Sequence, residues 1–314
     1  MKTRNDAPEK EVERYKQMAR QVIEHHFGTK PRRISHKTAG LSNFVFAVNH
    51  PEGDFVVRIS PEVTRLDLFI KEQWAQNTAH EAGVPTAEIL EVGNGIINLP
   101  FMITRTVKGG NALDHPEREK IIRQMGRYAA AINSVKTSGF GATFDWSNNQ
   151  LSRNETWRDY LEKELNYEAR LNILEKRKMV SGEQLKKLEK TFAAALKMKP
   201  QPVLNHSDIR LKNVIVDETG EINAFIDWEN CTSNLAPHWE LSIALHDLSI
   251  DEKQIFLEGY GINEKNLREA APLMKAFNLI NYAADVERFA NEKDYNRLEQ
   301  YRTRLSGFLD LYSL

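Results

Sequence analysis

The sequence predicts an α+β fold of two lobes, a small β-rich N-terminal lobe and a larger, mainly helical C-terminal lobe. Three observations lead to it. Short aromatic and β-branched runs separated by turn residues occupy the stretch from Phe44 to Val107. Long segments with helical spacing dominate after Glu117. One β segment around Asp217-Glu218-Thr219-Gly220 interrupts those helices. No internal repeat, low-complexity tract or Gly/Ser linker separates the two textures, so the boundary is expected to be short.

In chain order, a first helix is expected after Pro8, from Glu9 to about His26, with Gly28 as its stop. Phe44–Val48 and Phe55–Ile59 flank Pro51-Glu52-Gly53-Asp54 and read as a hairpin. A helix from about Leu66 to Glu81 ends at Gly83, with Pro85 just beyond. Strands Glu88–Val92 and Ile96–Val107 follow, parted by Gly93-Asn94-Gly95. Lys108-Gly109-Gly110 then breaks the pattern. It is taken as the linker between an N-terminal lobe of residues 1–107, which includes the first helix, and a C-terminal lobe of residues 108–314.

In the second lobe Glu117–Ile132, Thr156–Leu174, Gly182–Met198, Glu252–Gly259 and Ala271–Asn291 read as helices. Ser181 with Gln184 is a capping-box signature, and Thr156 with Asp159 resembles one. Strands are expected at Val203–Asn205, Val214–Val216 and Ile222–Ile226.

Composition removes several function classes. The 43 Lys+Arg and 44 Asp+Glu leave a net charge of −1, against a general nucleic-acid binder, which carries a strong basic excess. A lone cysteine, Cys231, permits neither an intramolecular disulfide nor a multi-cysteine zinc site, and suits a reducing compartment. No signal-peptide core and no membrane-length apolar run are visible, so a cytoplasmic protein without a membrane partner is expected. There is no Gly-x-x-x-x-Gly-Lys-Ser/Thr. His80-Glu81 lacks the second His of a zincin, and Gly93-x-Gly95 lacks the rest of a dinucleotide fingerprint.

The most informative stretch is His206-Ser207-Asp208-Ile209-Arg210-Leu211-Lys212-Asn213, followed by Ile226-Asp227-Trp228-Glu229. Asn213 and Asp227 flank a hairpin centred near Gly220, so they should emerge side by side at its open end, where paired positions lie about 5 Å apart. Asp208 sits on the loop feeding that end. An amide oxygen and a carboxylate able to share one hard cation, beside a second carboxylate able to accept a proton, suit Mg²⁺-assisted phosphoryl transfer. In that chemistry Asp208 accepts or orients the hydroxyl proton of the acceptor, and Asn213 and Asp227 hold Mg²⁺ on the nucleotide phosphates. Arg210 reaches the transferring phosphate, and His206 braces the loop.

His-x-Asp-x-x-x-x-Asn followed by Ile-Asp-Trp-Glu resembles the aminoglycoside phosphotransferase and choline kinase superfamily, whose members have a protein-kinase-like fold. The resemblance implies the same roles for Asp208 as base and for Asn213 and Asp227 as metal ligands, with ATP as donor. It extends upstream. Thr38-Ala39-Gly40-Leu41-Ser42-Asn43 is similar to the family's nucleotide-positioning loop, which implies that Gly40, Ser42 and Asn43 face the nucleotide. Phe55-Val56-Val57-Arg58-Ile59 matches the strand carrying the phosphate-binding base, and Glu72 stands where the family places its partner. Pro100 to Gly109 resembles the hinge strand, which implies adenine binding by the backbone of Arg105 and Val107. Ser138-Gly139-Phe140-Gly141, with Trp157 after it, extends the likeness, which spans roughly residues 35–245.

Taken singly, Asp208 and Asn213 are ordinary turn residues, and a bare His-x-Asp-x-x-x-x-Asn occurs by chance in about one or two chains per hundred. The order of hairpin, Arg/Glu pair and hinge is what makes the assignment specific. Two departures stand out. Glu240 replaces the second acid of the family's Asp-Pro…Asp-Leu-Ala segment and is expected to keep a structural role. No Ala-Pro-Glu segment follows Asp227, which favours a small-molecule acceptor over a protein.

The expected activity is therefore an ATP- and Mg²⁺-dependent kinase acting on a hydroxyl of an aminoglycoside, choline or ethanolamine, a sugar or an amino alcohol, in the cleft between the lobes. The alternatives are a catalytically silent nucleotide-binding regulatory module and a kinase with a protein substrate. Asp159, Glu162, Glu164 and Glu168 would suit a polycationic acceptor, but they alternate with Lys and Arg and read as a solvated helix face.

Overall fold

The computed structural model describes residues 8–38, 42–145, 150–151 and 154–311. The chain divides into two compact units. One comprises the chain up to His115 together with Asn213–Glu229; the other comprises Pro116–Lys212 and the chain from Asn230 onward.

The first unit is built on a five-stranded antiparallel sheet. Its spatial order is Arg33–Lys37, Phe44–His50, Gly53–Ile59, Phe101–Arg105 and Ile89–Gly93. Alternation drives it: Phe44, Phe46 and Val48 on one strand, and Phe55, Val57 and Ile59 on the next, are buried while their neighbours are not. The hairpin register runs from Phe44 opposite Ile59 to His50 opposite Gly53, and Gly53 takes φ 136°, which a side chain would resist. Helix Glu9–Phe27 places Tyr15, Ala19, Val22 and Ile23 on one face of this core, with Tyr15 stacked on Phe44 at 3.8 Å. Gly28 closes the helix in the left-handed conformation, its N–H donating to the Glu24 carbonyl.

Two elements of this unit depart from expectation. The strand predicted from Ile96 begins only at Phe101, because Asn98 adopts φ 56° and turns the chain so that Ile96, Ile97 and Leu99 pack on the core instead of extending. The predicted linker is also structured. Gly110 and Asn111 pair with Val216 and Ile215 of strand Val214–Val216, and a Cβ on Gly109 would meet the Val216 carbonyl oxygen at 2.2 Å. A backbone approach that close admits only glycine. It stitches the segment to hairpin Val214–Phe225, which is grouped with the first unit for that reason.

The second unit is helical. Helices Arg118–Ser134 and Ile250–Tyr260 meet through glycines: a Cβ on Gly126 would lie 2.1 Å from the Phe256 carbonyl, and one on Gly259 would lie 2.1 Å from that of Arg123. Ser181 and Gln184 form the expected capping box at helix Gly182–Ala195. A second box, Ser249 with Glu252, starts helix Ile250–Tyr260.

The helix predicted from Thr156 to Leu174 is instead a short turn Trp157–Asp159, a widened π turn Tyr160–Glu164, a break at Asn166 (φ 49°) and helix Tyr167–Lys176. The segment predicted as one helix over Ala271–Asn291 is two, Glu264–Asn281 and Ala283–Asn291. The first starts early because the Asn263 side chain caps it, and it carries Pro272 inside. Strand Thr232–Asn234, paired with Val203–Asn205, and helices His238–Ala244 and Tyr295–Leu311 were not anticipated. Trp157, Tyr160, Phe192 and Phe277 form the aromatic centre of the core. Among the described residues no helix is long and apolar enough to cross a membrane.

Candidate active site

In the first unit, hairpin Val214–Val216/Ile222–Phe225 carries the expected metal ligands. Its turn is stabilised by the Asp217 carboxylate, which accepts the N–H groups of Thr219 and Glu221, and by Gly220 at φ 78°. Val214 pairs with Phe225, and the Ile226 N–H donates to the Asn213 carbonyl at 3.0 Å. Asn213 therefore stands opposite the residue before Asp227, as the spacing implied. Asn213 is buried, whereas Asp227 is half-exposed.

Asp227 sits at φ 67°, a left-handed conformation costing roughly 1–2 kcal/mol for an L residue but tolerated best by Asp and Asn. The adjacent Trp228 is fully buried, and its indole N–H donates to the Phe225 carbonyl at 3.0 Å, fixing the chain on either side of Asp227. Among the described residues no group of three His, Cys, Asp or Glu side chains could hold a metal. One amide and one carboxylate oxygen form a donor set that fits Mg²⁺, which keeps most of its shell for phosphate and water.

Arg58 lies on strand Gly53–Ile59, and its Nη2 donates to Glu72 Oε2 at 2.5 Å and approaches Met102 Sδ at 3.3 Å. The guanidinium also stands over the Phe69 ring, 5.1 Å from its centroid. Burial works against the Arg58 charge, but the carboxylates of Glu72, Asp227 and Glu229 outweigh it and hold the guanidinium above its ordinary range. Burial pushes Glu72 up, with Arg58 drawing it back. Glu72 Oε1 is buried and has no hydrogen-bond partner among the described residues.

Lys71, the preceding residue, is also buried and donates to the Glu229 carbonyl at 2.6 Å, tying helix Leu66–Glu81 to the segment after Asp227. Sequence reasoning passed over Lys71, since nothing in its spacing marks it.

The hinge residues are partly committed. The Arg105 N–H donates to the Glu88 carbonyl at 2.8 Å, and its side chain pairs with the Glu88 carboxylate at 2.6 Å. Val107 lies just beyond the strand that ends at Arg105. Asn43 is buried at the start of strand Phe44–His50, with its Oδ1 unpartnered among the described residues, and Ser42 precedes it half-exposed. Gly40 lies outside the described residues.

In the second unit, Asp208 is 7% exposed and flanked by two cations. Arg210 Nε lies 2.8 Å from its Oδ1 and Lys212 Nζ lies 3.3 Å from its Oδ2. Arg210 also reaches Asp247 at 3.3 Å. Lys212 was within the motif and readable at i+4 from Asp208; Asp247 had no sequence signal.

The loop itself is held from behind. His206 is fully buried, and its Nδ1 accepts the Asp208 N–H at 3.3 Å, the bracing role expected of it. Glu240, on helix His238–Ala244, accepts the His206 N–H at 2.6 Å and the Ser207 N–H at 3.1 Å. It is wholly buried, and desolvation raises its pKa to about 7 despite those bonds. Ser207 is held at φ 64°, with its hydroxyl accepting the Trp239 indole N–H at 3.1 Å. Two consecutive helix residues thus fix the one residue that precedes Asp208. Glu240 keeps the structural role anticipated for it.

The acidic residues considered for a polycationic acceptor are internally engaged. Asp159 pairs with Lys163 at 2.5 Å and Glu162 with Arg158 at 2.8 Å, while Glu164 accepts the Asn154 amide at 2.7 Å and the Ala142 N–H at 3.1 Å.

Residues 6–273 match the model of the phosphotransferase enzyme family. Among solved structures the chain is similar to aminoglycoside phosphotransferase APH(4)-Ia, at 18% identity and TM-score 0.68, covering 94% of this chain and 98% of that one. It is likewise similar to a thermostable mutant of that enzyme in ternary complex with ADP and hygromycin B, at 18% identity and TM-score 0.67, covering 94% and 99%. The GDP and kanamycin complex of APH(2")-IIIa is similar at 13% identity and TM-score 0.63, also covering 94% and 99%. These likenesses show a protein-kinase-like fold, with the β-sheet part first and the helical part second. No curated protein sequence matches the chain.

Proposed function

The chain belongs to the phosphotransferase enzyme family, and from that premise we propose that it is an ATP- and Mg²⁺-dependent kinase phosphorylating a hydroxyl of a small molecule. The observation that carries the reading is the register of hairpin Val214–Val216/Ile222–Phe225. It sets Asn213 opposite Ile226 and so beside Asp227, five residues after a carboxylate on a doubly braced loop.

In this reading residues 1–107 serve the nucleotide and residues 108–314 catalysis and the acceptor. Arg58, oriented by Glu72, binds the phosphates. The Arg105 N–H is already used, so adenine is held by the Arg105 carbonyl and the Val107 N–H. Ser42 and Asn43, with Gly40, cover the phosphates. Asn213 and Asp227 hold Mg²⁺, which neutralises phosphate charge when bound. Asp208 takes or orients the proton of the acceptor hydroxyl as its oxygen attacks the γ-phosphorus and ADP departs. Arg210 exchanges its pairing with Asp208 for the transferring phosphoryl group.

The structural relatives carry hygromycin B with ADP and kanamycin with GDP. An aminoglycoside is accordingly one acceptor class, beside choline or ethanolamine, sugars and amino alcohols. A cytoplasmic setting agrees with ATP as donor and with the single, buried Cys231. The test is ADP release from Mg-ATP across a panel of those acceptors, with Asp208→Asn as control. Stimulation by one class that vanishes in the variant supports the reading. Stimulation that survives in the variant overturns the assignment of Asp208, and a chain that fails to bind Mg-ATP overturns the whole.

A further inference from the structure

Behind Glu240 lies a second layer of polar groups contributed by two other helices. Asn133 is buried near the end of helix Arg118–Ser134, and Tyr260 closes helix Ile250–Tyr260. The Gly126 and Gly259 contacts let these helices approach backbone to backbone, which brings the two side chains together. The Tyr260 hydroxyl donates to Asn133 Oδ1 at 2.8 Å. Asn133 Nδ2 donates to the Leu204 carbonyl at 2.9 Å, two residues before His206, and the same amide faces Glu240 and favours its charge. An amide has two N–H donors and one oxygen, and it reads almost the same when flipped. Here the acceptors decide the flip: the Leu204 carbonyl and the Glu240 carboxylate call for N–H groups, which leaves the oxygen for the Tyr260 hydroxyl.

We propose that Tyr260 and Asn133 are positioning residues of the catalytic loop. The Tyr260 hydroxyl anchors the Asn133 amide with its N–H₂ end toward Leu204 and Glu240, which sustains the ionised carboxylate that grips the His206 and Ser207 amides. The inference rests on the phosphotransferase reading for its catalytic consequence, but not for the network itself.

A charged Glu240 can accept both backbone N–H groups. A protonated one presents a hydroxyl to an N–H and must release part of its hold, leaving Ser207 at its left-handed φ with one support fewer. The groups facing Glu240 are few. Asp208 on the loop opposes its charge, while the backbone of His206 and Ser207 and the Asn133 amide favour it. Tyr260, raised by burial and then by Glu240, stays a neutral donor. His238 on the same helix is depressed to about 4 by burial and is neutral as well. Helix Glu264–Asn281 offers Asn278, which donates to the Ser242 carbonyl. Without the Tyr260 hydroxyl, the Asn133 oxygen is left buried and unpaired, and the amide loosens where it faces Leu204 and Glu240.

The experiment is a titration of Glu240 by carbon-13 carboxyl NMR in the full chain, paired with the pH profile of kcat. The wild-type midpoint is expected near 7. Tyr260→Phe, which removes only the hydroxyl, is expected to move it up by about one pH unit, the scale of one hydrogen bond lost from the support of the charged group. At pH 7 kcat should fall several-fold, with the nucleotide KM within about twofold. Asn133→Ala should shift the midpoint at least as far, and neither variant should change kcat further in a Glu240→Gln background. An unmoved midpoint in folded Tyr260→Phe and Asn133→Ala protein, or equal losses with and without Glu240, overturns the proposal. A shifted midpoint in a chain that transfers no phosphate upholds the network and removes the phosphotransferase reading instead.

Discussion

The hairpin that carries Asn213 and Asp227 and the loop that carries Asp208 are five residues apart in the chain and are supported in opposite ways. The hairpin takes its turn and its open end from its own ladder, from an Asx turn at Asp217 and from the tryptophan next to Asp227, while Gly110–Asn111 and Lys71 pin it to the rest of its unit. The loop takes its shape from Glu240 and Trp239, more than thirty residues downstream, and the strand feeding it is held at Leu204 by Asn133, itself bonded to Tyr260 on another helix. Local support sets Asn213 beside Asp227, the proposed ligand pair, within one hairpin. Remote support leaves Asp208, the proposed base, with a placement that depends on how a helical layer packs and on the charge of one buried carboxylate.

The largest test of that contrast is Asp208→Asn, expected to lower transfer by about 10²–10⁴-fold while Mg-nucleotide binding persists, as read by single-turnover ADP formation and nucleotide titration. Asp227→Ala attacks the hairpin instead. Its expected signature is a Mg²⁺ requirement raised by one to two orders of magnitude, the scale of a ligand-shell change, with loop geometry intact. An unchanged Mg²⁺ dependence would remove Asp227 from the metal.

Glu240→Gln should cost roughly ten- to hundredfold in kcat, because the NH₂ that replaces one carboxylate oxygen meets a backbone N–H that this oxygen accepted. It should also stabilise the protein at alkaline pH. A carboxyl raised from 4.5 to about 7 by burial favours the folded state fully below 4.5, and that contribution is lost as pH rises through 7. The amount is about 3 kcal/mol at most. Thermal unfolding of wild type should therefore weaken between pH 5 and 8 by a component that the Gln variant lacks.

Gly259→Ala sets a methyl against the Arg123 carbonyl and should cost about 1–3 kcal/mol, visible as a lowered unfolding midpoint. Trp239→Phe removes the bond to Ser207 and part of a ring packed on Tyr160 and Phe277, and should cost about 1–3 kcal/mol in stability and a few-fold in kcat. If Trp239→Phe proved as damaging as Glu240→Gln, the loop would hang on the hydroxyl of Ser207 rather than on its backbone.

The same contrast explains what was legible in the sequence. Features decided within one turn or one hairpin were readable: Gly28 as a stop, Ser181 with Gln184 as a cap, Phe44–Ile59 as a hairpin, Asn213 beside Asp227. The break at Asn166 was not, because no proline or glycine announces it and the apolar spacing runs on through Leu165, Tyr167 and Leu171. Gly109-Gly110 was read as slack chain because glycine serves equally in a linker and in a backbone approach too tight for any Cβ. Asp247, Asn133 and Tyr260 were invisible as site residues, since only tertiary packing brings them to the loop.

That close approach at Gly109 has a consequence for synthesis. The first unit is discontinuous, interrupted by about a hundred residues between His115 and Asn213. A ribosome adding roughly 5–20 residues per second leaves the Gly110–Asn111 edge without its strand for on the order of 5–20 s, with Pro85 also awaiting the Phe225 amide. The sheet can form early, but the unit cannot close before residue 229 has left the exit tunnel. Chaperone occupancy on a stalled nascent chain should therefore drop after that point rather than at the end of the sheet.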